Sequence, residues 1–139
     1  MKSKFSTAWT ASKQPRKQRK YLYNAPLHLK HKFLSAPLSK ELRKKYDKRN
    51  IAIKKGDEVL VMRGSFKKKK AKVSSVDIKK SRVTLEGINR AKKDGTKFNV
   101  YFHPSKLILQ TLNLDDKKRI KRMTNKSENK EKENVSDKS

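Results

Sequence analysis

The fold of this chain is decided by residues 53–64, which read IKKGDEVLVMRG. Inside this stretch, the apolar run 59–62 lies between the turn-forming segments Lys55-Gly56-Asp57 and Arg63-Gly64. A short Val-rich run bounded by such residues is typical of a half-buried β-strand. Residues 53–64 therefore predict a turn, a strand and a second turn.

The same pattern predicts four further strands downstream. Their apolar residues are Val73, Val76 and Ile78, then Val83 and Leu85, then Phe98, Val100 and Phe102, and finally Leu107, Ile108 and Leu109. Turn-forming residues separate several of them, as at 79–81 and 93–96. Five short strands within residues 51–110 predict an all-β core, a small antiparallel barrel, because closure removes exposed sheet edges.

Charge dominates the composition. The chain has 139 residues, with 40 Lys and Arg against 13 Asp and Glu, a formal net charge of +27, and a hydrophobic share of 32%. So much positive charge opposes compaction unless a polyanion neutralises it, and nucleic acid is the first candidate. With no cysteine, disulfide scaffolds and thiolate metal sites are excluded. No signal-peptide or membrane-spanning run is recognisable, so we expect a cytosolic protein.

The charge divides the chain into three segments. Residues 1–50 hold 15 cations and 2 anions, residues 51–110 hold 16 and 5, and residues 111–139 hold 9 and 6. We therefore predict a basic N-terminal extension at 1–50, the barrel at 51–110 and a C-terminal tail at 111–139. Apolar residues suggest a core within the middle segment alone.

Short helices are predicted in both flanking segments. Leu38, Leu42 and Tyr46 recur every four residues and predict an amphipathic helix capped near residues 35–37. A weaker helical pattern covers residues 24–33, and residues 1–20 are expected to be extended and ordered only on a partner.

The C-terminal segment is predicted to keep one short helix. Asp115 is its expected cap, and Ile120 and Met123 lie on one side of it. Beyond Met123 the sequence predicts a disordered charged tail.

Residues that could support catalysis or bind a metal form no constellation. His28 and His31 share a helical spacing but have no nearby carboxylate, which argues against a metal site. Asp57 and Glu58 are adjacent on a strand and point to opposite faces, so they cannot act as a pair. An enzyme, for instance a nuclease using Asp57 or His103, is therefore disfavoured, and no cofactor is predicted. A membrane-surface protein would need a long basic amphipathic helix, which is absent.

Basic residues interleaved with aromatic ones indicate RNA binding. Residues 14–24, QPRKQRKYLYN, place four cations beside two tyrosines and an asparagine. Arginine can fork onto phosphates, and tyrosine can stack on an unpaired base. Four consecutive lysines follow the first strand within residues 63–70, RGSFKKKK, hereafter the lysine loop. Their mutual repulsion is relieved beside a phosphate backbone. Solvated basic surfaces are the alternative interpretation of both stretches.

Residues 53–64, continuing through Lys67 to residues 71–73, resemble the KOW motif, which occurs in SH3-like barrels of ribosomal proteins and transcription elongation factors. The flanking stretches 15–20, 23–28, 34–43, 86–89 and 103–107 resemble one family of large-subunit ribosomal proteins. It is numbered twenty-four in the universal scheme and twenty-six in eukaryotes, and its archaeal and eukaryotic form fits best. Lys68 and Ala71 stand where the motif usually has glycine, so either the turn differs or Lys68 is left-handed.

The resemblance implies a structural protein that binds large-subunit ribosomal RNA, assists early assembly and lies near the nascent-peptide exit tunnel. It also implies neighbouring ribosomal proteins as partners, no small-molecule substrate and no homo-oligomer. A KOW-type transcription elongation factor is the alternative, but such a factor normally carries an α/β domain for which 50 residues leave no room. The predicted RNA-binding residues are Arg16, Lys17, Arg19, Lys20, Tyr21, Tyr23, Asn24, His28, Lys30, His31, Lys32, Arg63, Lys67, Lys68, Lys69, Lys70, His103 and Lys106.

Overall fold

The computed structural model of the protein describes residues 3–121 and 123. Its helices are α1 (Pro15–Asn24), α2 (Leu27–Phe33) and α3 (Lys40–Tyr46), with short 3₁₀ helices at Thr7–Ala11 and Pro104–Lys106. Its strands are β1 (Ser35–Pro37), β2 (Asn50–Ala52), β3 (Glu58–Val61), β4 (Lys70–Asp77), β5 (Arg82–Ala91), β6 (Lys97–Phe102) and β7 (Leu107–Thr111).

The five predicted strands of the middle segment are confirmed as β3 to β7. They form one antiparallel sheet in the order β6-β5-β4-β3-β7. The prediction of a closed barrel is wrong, because β6 and β7 are the two edges of this sheet and do not pair. The N-terminal extension pairs with part of the β7 edge instead. Leu38 forms a β-bridge with Leu109, and the Ser39 N–H donates to the Leu109 carbonyl oxygen at 2.9 Å.

The core extends beyond the middle segment, contrary to the sequence-based expectation. Leu34, Ala36 and Leu38 are at most 1% exposed and belong to the same apolar cluster as Val59 and Leu109. Strand β1 carries Ala36 and pairs with β2 in a separate two-stranded sheet. The first segment therefore completes the core that the five-stranded sheet leaves open.

The helix expected around Leu38 begins later than predicted. Leu38 precedes it in extended backbone, and Ser39 is its N-cap, with Oγ accepting the Leu42 N–H. The Leu38 N–H donates to the Arg49 carbonyl oxygen and the Ser39 N–H to that of Leu109, which explains the shift. Leu42 and Tyr46 pack against the core as the spacing predicted. The helix predicted near Pro26 is confirmed as α2.

The expectation of an extended segment over residues 1–20 is wrong for the described part. Pro15 occupies the first turn of α1, where its missing N–H costs nothing, and good helix formers follow it. The Gln18 side-chain amide donates to the carbonyl oxygens of Trp9, Thr10 and Ser12, which joins α1 to the preceding 3₁₀ helix. Residues 1–20 show no helical period of apolar residues, because this part of the chain packs through a few aromatic side chains.

The C-terminal segment returns to the turn that opens the motif. Asp57 is fully buried, and its carboxylate accepts hydrogen bonds from both terminal nitrogens of Arg119, at 2.6 and 2.7 Å. It also accepts the backbone N–H groups of Lys54 and Asn113. Gly56 has a φ of +85°, and a Cβ there would lie 2.9 Å from Asn113 Nδ2. This turn therefore requires glycine and anchors the C-terminal segment.

Residues 117–121 are helical, as expected, with Met123 buried and Ile120 packed on the core. The cap is Asp116 rather than Asp115, because Asp116 Oδ1 accepts the Lys118 N–H. The predicted disordered tail lies outside the described residues.

Candidate nucleic-acid interface

A basic cleft of about 1000 Å³ joins three segments that are distant in sequence. Helices α1 and α2 form one part of it, the turn between β4 and β5 a second, and the end of β6 the third. Its lining residues are Arg19, Lys20, Leu22, Tyr23, Asn24, Lys30, Phe33, Lys79, Lys80, Ser81, Arg82 and His103. Six of the predicted RNA-binding residues thus meet in one cleft.

An aromatic cluster fixes the orientation of α1. Tyr21 stacks on Phe5 at 5.3 Å between ring centroids and packs at a tilt on Phe33 at 5.8 Å. Its hydroxyl is 3.1 Å from Thr10 Oγ1, and the residue is 7% exposed. The expected stacking of Tyr21 on a base is therefore wrong, because its ring is already covered by protein. Burial of Tyr21 turns the next helical positions toward solvent.

Tyr23 lies on the exposed side of α1 and is 82% exposed. The Lys30 ammonium donates to its carbonyl oxygen at 3.1 Å. A cation at the C-terminal end of a helix stabilises that helix, because the helix dipole is negative there. Pro26 ends α1 because the residue before a proline avoids helical backbone. The Lys30 bond and the packing of Tyr21 on Phe33 join α1 to α2, and Tyr23 lines the cleft.

His103 enters the cleft from the connector between β6 and β7. Its Nδ1 accepts the Ser105 N–H at 3.3 Å and lies 2.9 Å from Ser105 Oγ. Because Nδ1 accepts a backbone N–H, Nε2 is the ring nitrogen that carries a proton. His103 can therefore offer an N–H donor to a ligand in the cleft.

The lysine loop is a second basic surface. Lys67, Lys68, Lys69 and Lys70 are all exposed. Lys68 has a φ of +68°, so of the two alternatives for the missing glycine the structure has the left-handed lysine. Its N–H donates to the Val61 carbonyl oxygen at 2.8 Å, which closes the loop onto β3. Ala71 needs no such conformation because it lies in β4 opposite Val59.

Phe66 joins the lysine loop to the sheet. Its ring packs edge-on against Phe102 at 6.1 Å, and the Lys69 ammonium and Arg90 guanidinium lie 5.4 and 5.7 Å from its centroid. Arg90 also donates to Ser65 Oγ. Because this ring is half-buried and flanked by cations, it supports the loop. Arg90 is a cation that sequence reasoning missed.

The other predicted residues lie outside the cleft. Arg16 and Lys17 are exposed on α1, and the exposed residues His28, His31 and Lys32 lie on α2. Arg63 is exposed at the start of the lysine loop. Lys106 lies next to that loop, since its carbonyl oxygen accepts the Met62 N–H at 2.8 Å.

Sequence reasoning missed one side of the cleft, formed by Lys79, Lys80 and Arg82. Lys79 and Lys80 belong to the predicted hairpin turn, where basic residues are ordinary surface residues. Their only signal was a cluster of positive charge, which many segments of this chain share.

Comparison with known proteins shows the family of this chain. Residues 12–126 match the model of the family described as eukaryotic ribosomal protein L26 and its archaeal counterpart numbered twenty-four. The chain belongs to this family. It is 51% identical over 108 residues to the large ribosomal subunit protein uL24 of Korarchaeum cryptofilum, and the match covers 78% of this chain and 82% of that protein.

Membership confirms the resemblance drawn from the motif and its flanks. The family match includes both helices of the cleft and the C-terminal segment through Arg119. As a ribosomal protein of this family, the chain is a constituent of the large subunit and therefore cytoplasmic. Among the residues that the structure describes, no helix is long and apolar enough to cross a bilayer.

Proposed function

We propose that this protein binds large-subunit ribosomal RNA through the cleft and the lysine loop, and that its role in the subunit is structural rather than catalytic. The observation that carries this proposal is the convergence on one cleft of cations from two distant segments, the N-terminal helices and the turn between β4 and β5. Positive charges repel one another, so bringing them together costs free energy unless a polyanion is bound there. RNA phosphates supply that polyanion in the ribosome.

The connector 103–106 brings the two basic surfaces next to each other in the fold. His103 lines the cleft, and Lys106 bonds Met62 beside the lysine loop. An RNA that contacts both surfaces would hold the N-terminal helices against the sheet. Such a contact fits the expected role in early assembly, in which the protein would fix the arrangement of RNA helices, near the exit tunnel and beside neighbouring ribosomal proteins. No homo-oligomer and no small-molecule substrate are part of this proposal.

The test is a salt titration of full-length protein binding to a folded large-subunit ribosomal RNA fragment. Changing Arg19, Lys20, Lys79 and Lys80 together to glutamine should lower the slope of log affinity against log salt by roughly 0.7 to 0.9 for each phosphate that is no longer neutralised. A matched variant changes four exposed lysines outside both surfaces to glutamine: Lys44, Lys45, Lys55 and Lys117. Equal slopes for the two variants would show that net charge alone drives binding and would contradict the proposal.

A sucrose gradient of cell extract separates the ribosomal role from the transcription alternative. The protein should sediment with the large subunit, and the cleft variant should shift toward the top of the gradient. Sedimentation with RNA polymerase would instead support an elongation factor.

A further inference from the structure

We propose that the cleft holds one unpaired nucleotide of its RNA, with the base against Tyr23 and Leu22 and the adjoining phosphates on the surrounding cations. This inference rests on the proposed RNA binding and narrows the ligand of the same site. It distinguishes the cleft from the lysine loop, where the described contacts provide positive charge without an exposed ring.

Apolar surface is exposed inside the cleft. Tyr23 is 82% exposed and Leu22 is 53% exposed, although both line a cleft whose other walls carry several positive charges. Cations bind phosphates, whereas an exposed ring beside an exposed leucine offers a surface for a flat apolar partner. A base face is such a partner, since it is flat and apolar.

Duplex RNA cannot offer this partner. In an A-form helix the base faces are stacked on one another, and the deep, narrow major groove admits no side chain. Tyr23 could therefore reach a base face only where a nucleotide is bulged, looped out or terminal. A cleft, in contrast to a flat basic face, also has room to surround such a nucleotide.

Hydrogen-bond donors also line the cleft, and several of them come from segments other than the helix that carries the exposed ring. Lys79, Lys80 and Arg82 belong to a different segment than Tyr23, and His103 adds an Nε2–H donor. One extruded nucleotide has a base on one side of its sugar and phosphates on the other. The cleft supplies both kinds of contact, and its volume of about 1000 Å³ accommodates the nucleotide with its neighbouring phosphates.

The backbone that carries Tyr23 is held rigidly. Buried Tyr21 stacks on Phe5 and packs at a tilt on Phe33, and the Lys30 ammonium donates to the Tyr23 carbonyl oxygen. These contacts hold the Tyr23 backbone in place before RNA arrives. A tyrosine on a helix that is already formed loses only its side-chain freedom on binding, which favours stacking.

The test uses full-length protein and two RNA hairpins that differ at one position. In one hairpin the stem carries a single bulged 2-aminopurine, and in the other this nucleotide is paired. We expect the unchanged protein to bind the bulged hairpin about tenfold more tightly, within the range measured for base stacking on aromatic side chains. The 2-aminopurine fluorescence should fall on binding as the base stacks.

Variants of Tyr23 locate the effect. Tyr23→Ala should bind the two hairpins equally, whereas Tyr23→Phe keeps the ring and should keep the preference and the quenching. The control is Tyr101→Ala, because Tyr101 is a 57% exposed tyrosine on β6 that does not line the cleft. This control should behave like the unchanged protein. Equal weakening of both hairpins by Tyr23→Ala would overturn the inference.

Two outcomes separate this inference from the proposed function. If the unchanged protein binds both hairpins equally, RNA binding stands and the nucleotide cleft is wrong. If it binds neither, both proposals fall. Poly-glutamate and single-stranded RNA of equal charge can each be tested as competitors of the bulged hairpin. If poly-glutamate displaces the hairpin as well as the RNA does, the cleft responds to charge alone, and this result also would overturn the inference.

Discussion

Arg119 and the lysine loop use positive charge in opposite ways. Arg119 is 5% exposed and bonds both carboxylate oxygens of Asp57, the carbonyl oxygen of Asn113 and that of Ala52. The lysines of the loop are exposed, and no ion pair within residues 3–121 and 123 includes them. A buried cation must find its anion within the fold, whereas the anion for an exposed cluster comes from outside. Position in the fold, and not residue type, therefore separates stabilising from binding charges.

The largest expected effect is on the buried side of this comparison. Arg119→Ala leaves the Asp57 carboxylate buried without its cation and should lower the free energy of unfolding by about 3–5 kcal/mol. Urea denaturation followed by circular dichroism measures this change. The control is Lys117→Ala, an exposed cation in the same helical segment, which should stay within about 0.5 kcal/mol of the unchanged protein. A small effect of Arg119→Ala would mean that water reaches Asp57.

The second prediction concerns the exposed side. Changing Lys67, Lys68, Lys69 and Lys70 together to serine should lower the salt slope of RNA binding by up to about 3, because as many as four phosphates are then left without a lysine. The circular dichroism spectrum should stay that of the folded protein. A collapse of the spectrum would show that these lysines stabilise the fold, and the contrast with Arg119 would disappear.

A third, smaller effect is expected at one residue that serves both purposes. Lys68 is left-handed, a conformation that costs an L-residue about 1 kcal/mol and glycine almost nothing. Lys68→Gly should therefore raise the free energy of unfolding by about 1 kcal/mol. It should also lower the salt slope of RNA binding by the amount that one lost phosphate contact contributes, roughly 0.7 to 0.9. Lys67→Gly is the matched control, because Lys67 has no positive φ and the glycine should destabilise the loop. Equal stability changes for the two variants would rule out backbone strain at Lys68.

The smallest effect is expected at the exposed ion pair of the same C-terminal segment. The Lys54 side chain bonds Asp116 and, with the backbone N–H groups of Lys118 and Arg119, holds the pKa of that carboxyl below its ordinary value of 3.8. A carboxyl with a lowered pKa stabilises the folded state above its unfolded value, and this contribution is lost as the pH falls through its folded value.

Lys54→Ala should therefore destabilise the protein slightly at neutral pH, far less than Arg119→Ala. Its difference from the unchanged protein should shrink as the pH falls below the ordinary carboxyl pKa of 3.8 and Asp116 becomes protonated in the folded state as well. Urea midpoints of the two proteins at neutral and acid pH measure this. A difference that persists in acid would assign the effect to packing of the Lys54 stem.

The sequence predicted the strands better than the ends of the chain. Val59 and Val61 alternate with partly exposed residues, and this local period survives in β3. The sequence around Leu34 and Ala36 shows no such period, although both residues are buried. Strand β1 is only three residues long, and its partner β2 lies farther along the chain, at residues 50–52. The order in α1 was missed for a related reason, since Tyr21 is covered by Phe5 and Phe33 from other turns of the chain.

By itself, the sequence determined the five strands, the excess charge and the membership of a ribosomal protein family, because each depends on residues that are near one another in the chain. Tertiary structure alone decided which cations act together. It buried Arg119 against Asp57, exposed Tyr23 by burying Tyr21, and brought Lys79 and His103 to the same cleft. It also left the sheet open, with part of its β7 edge bonded to the N-terminal segment. Charge follows from composition, but its environment depends on contacts between residues far apart in sequence, which no local pattern records.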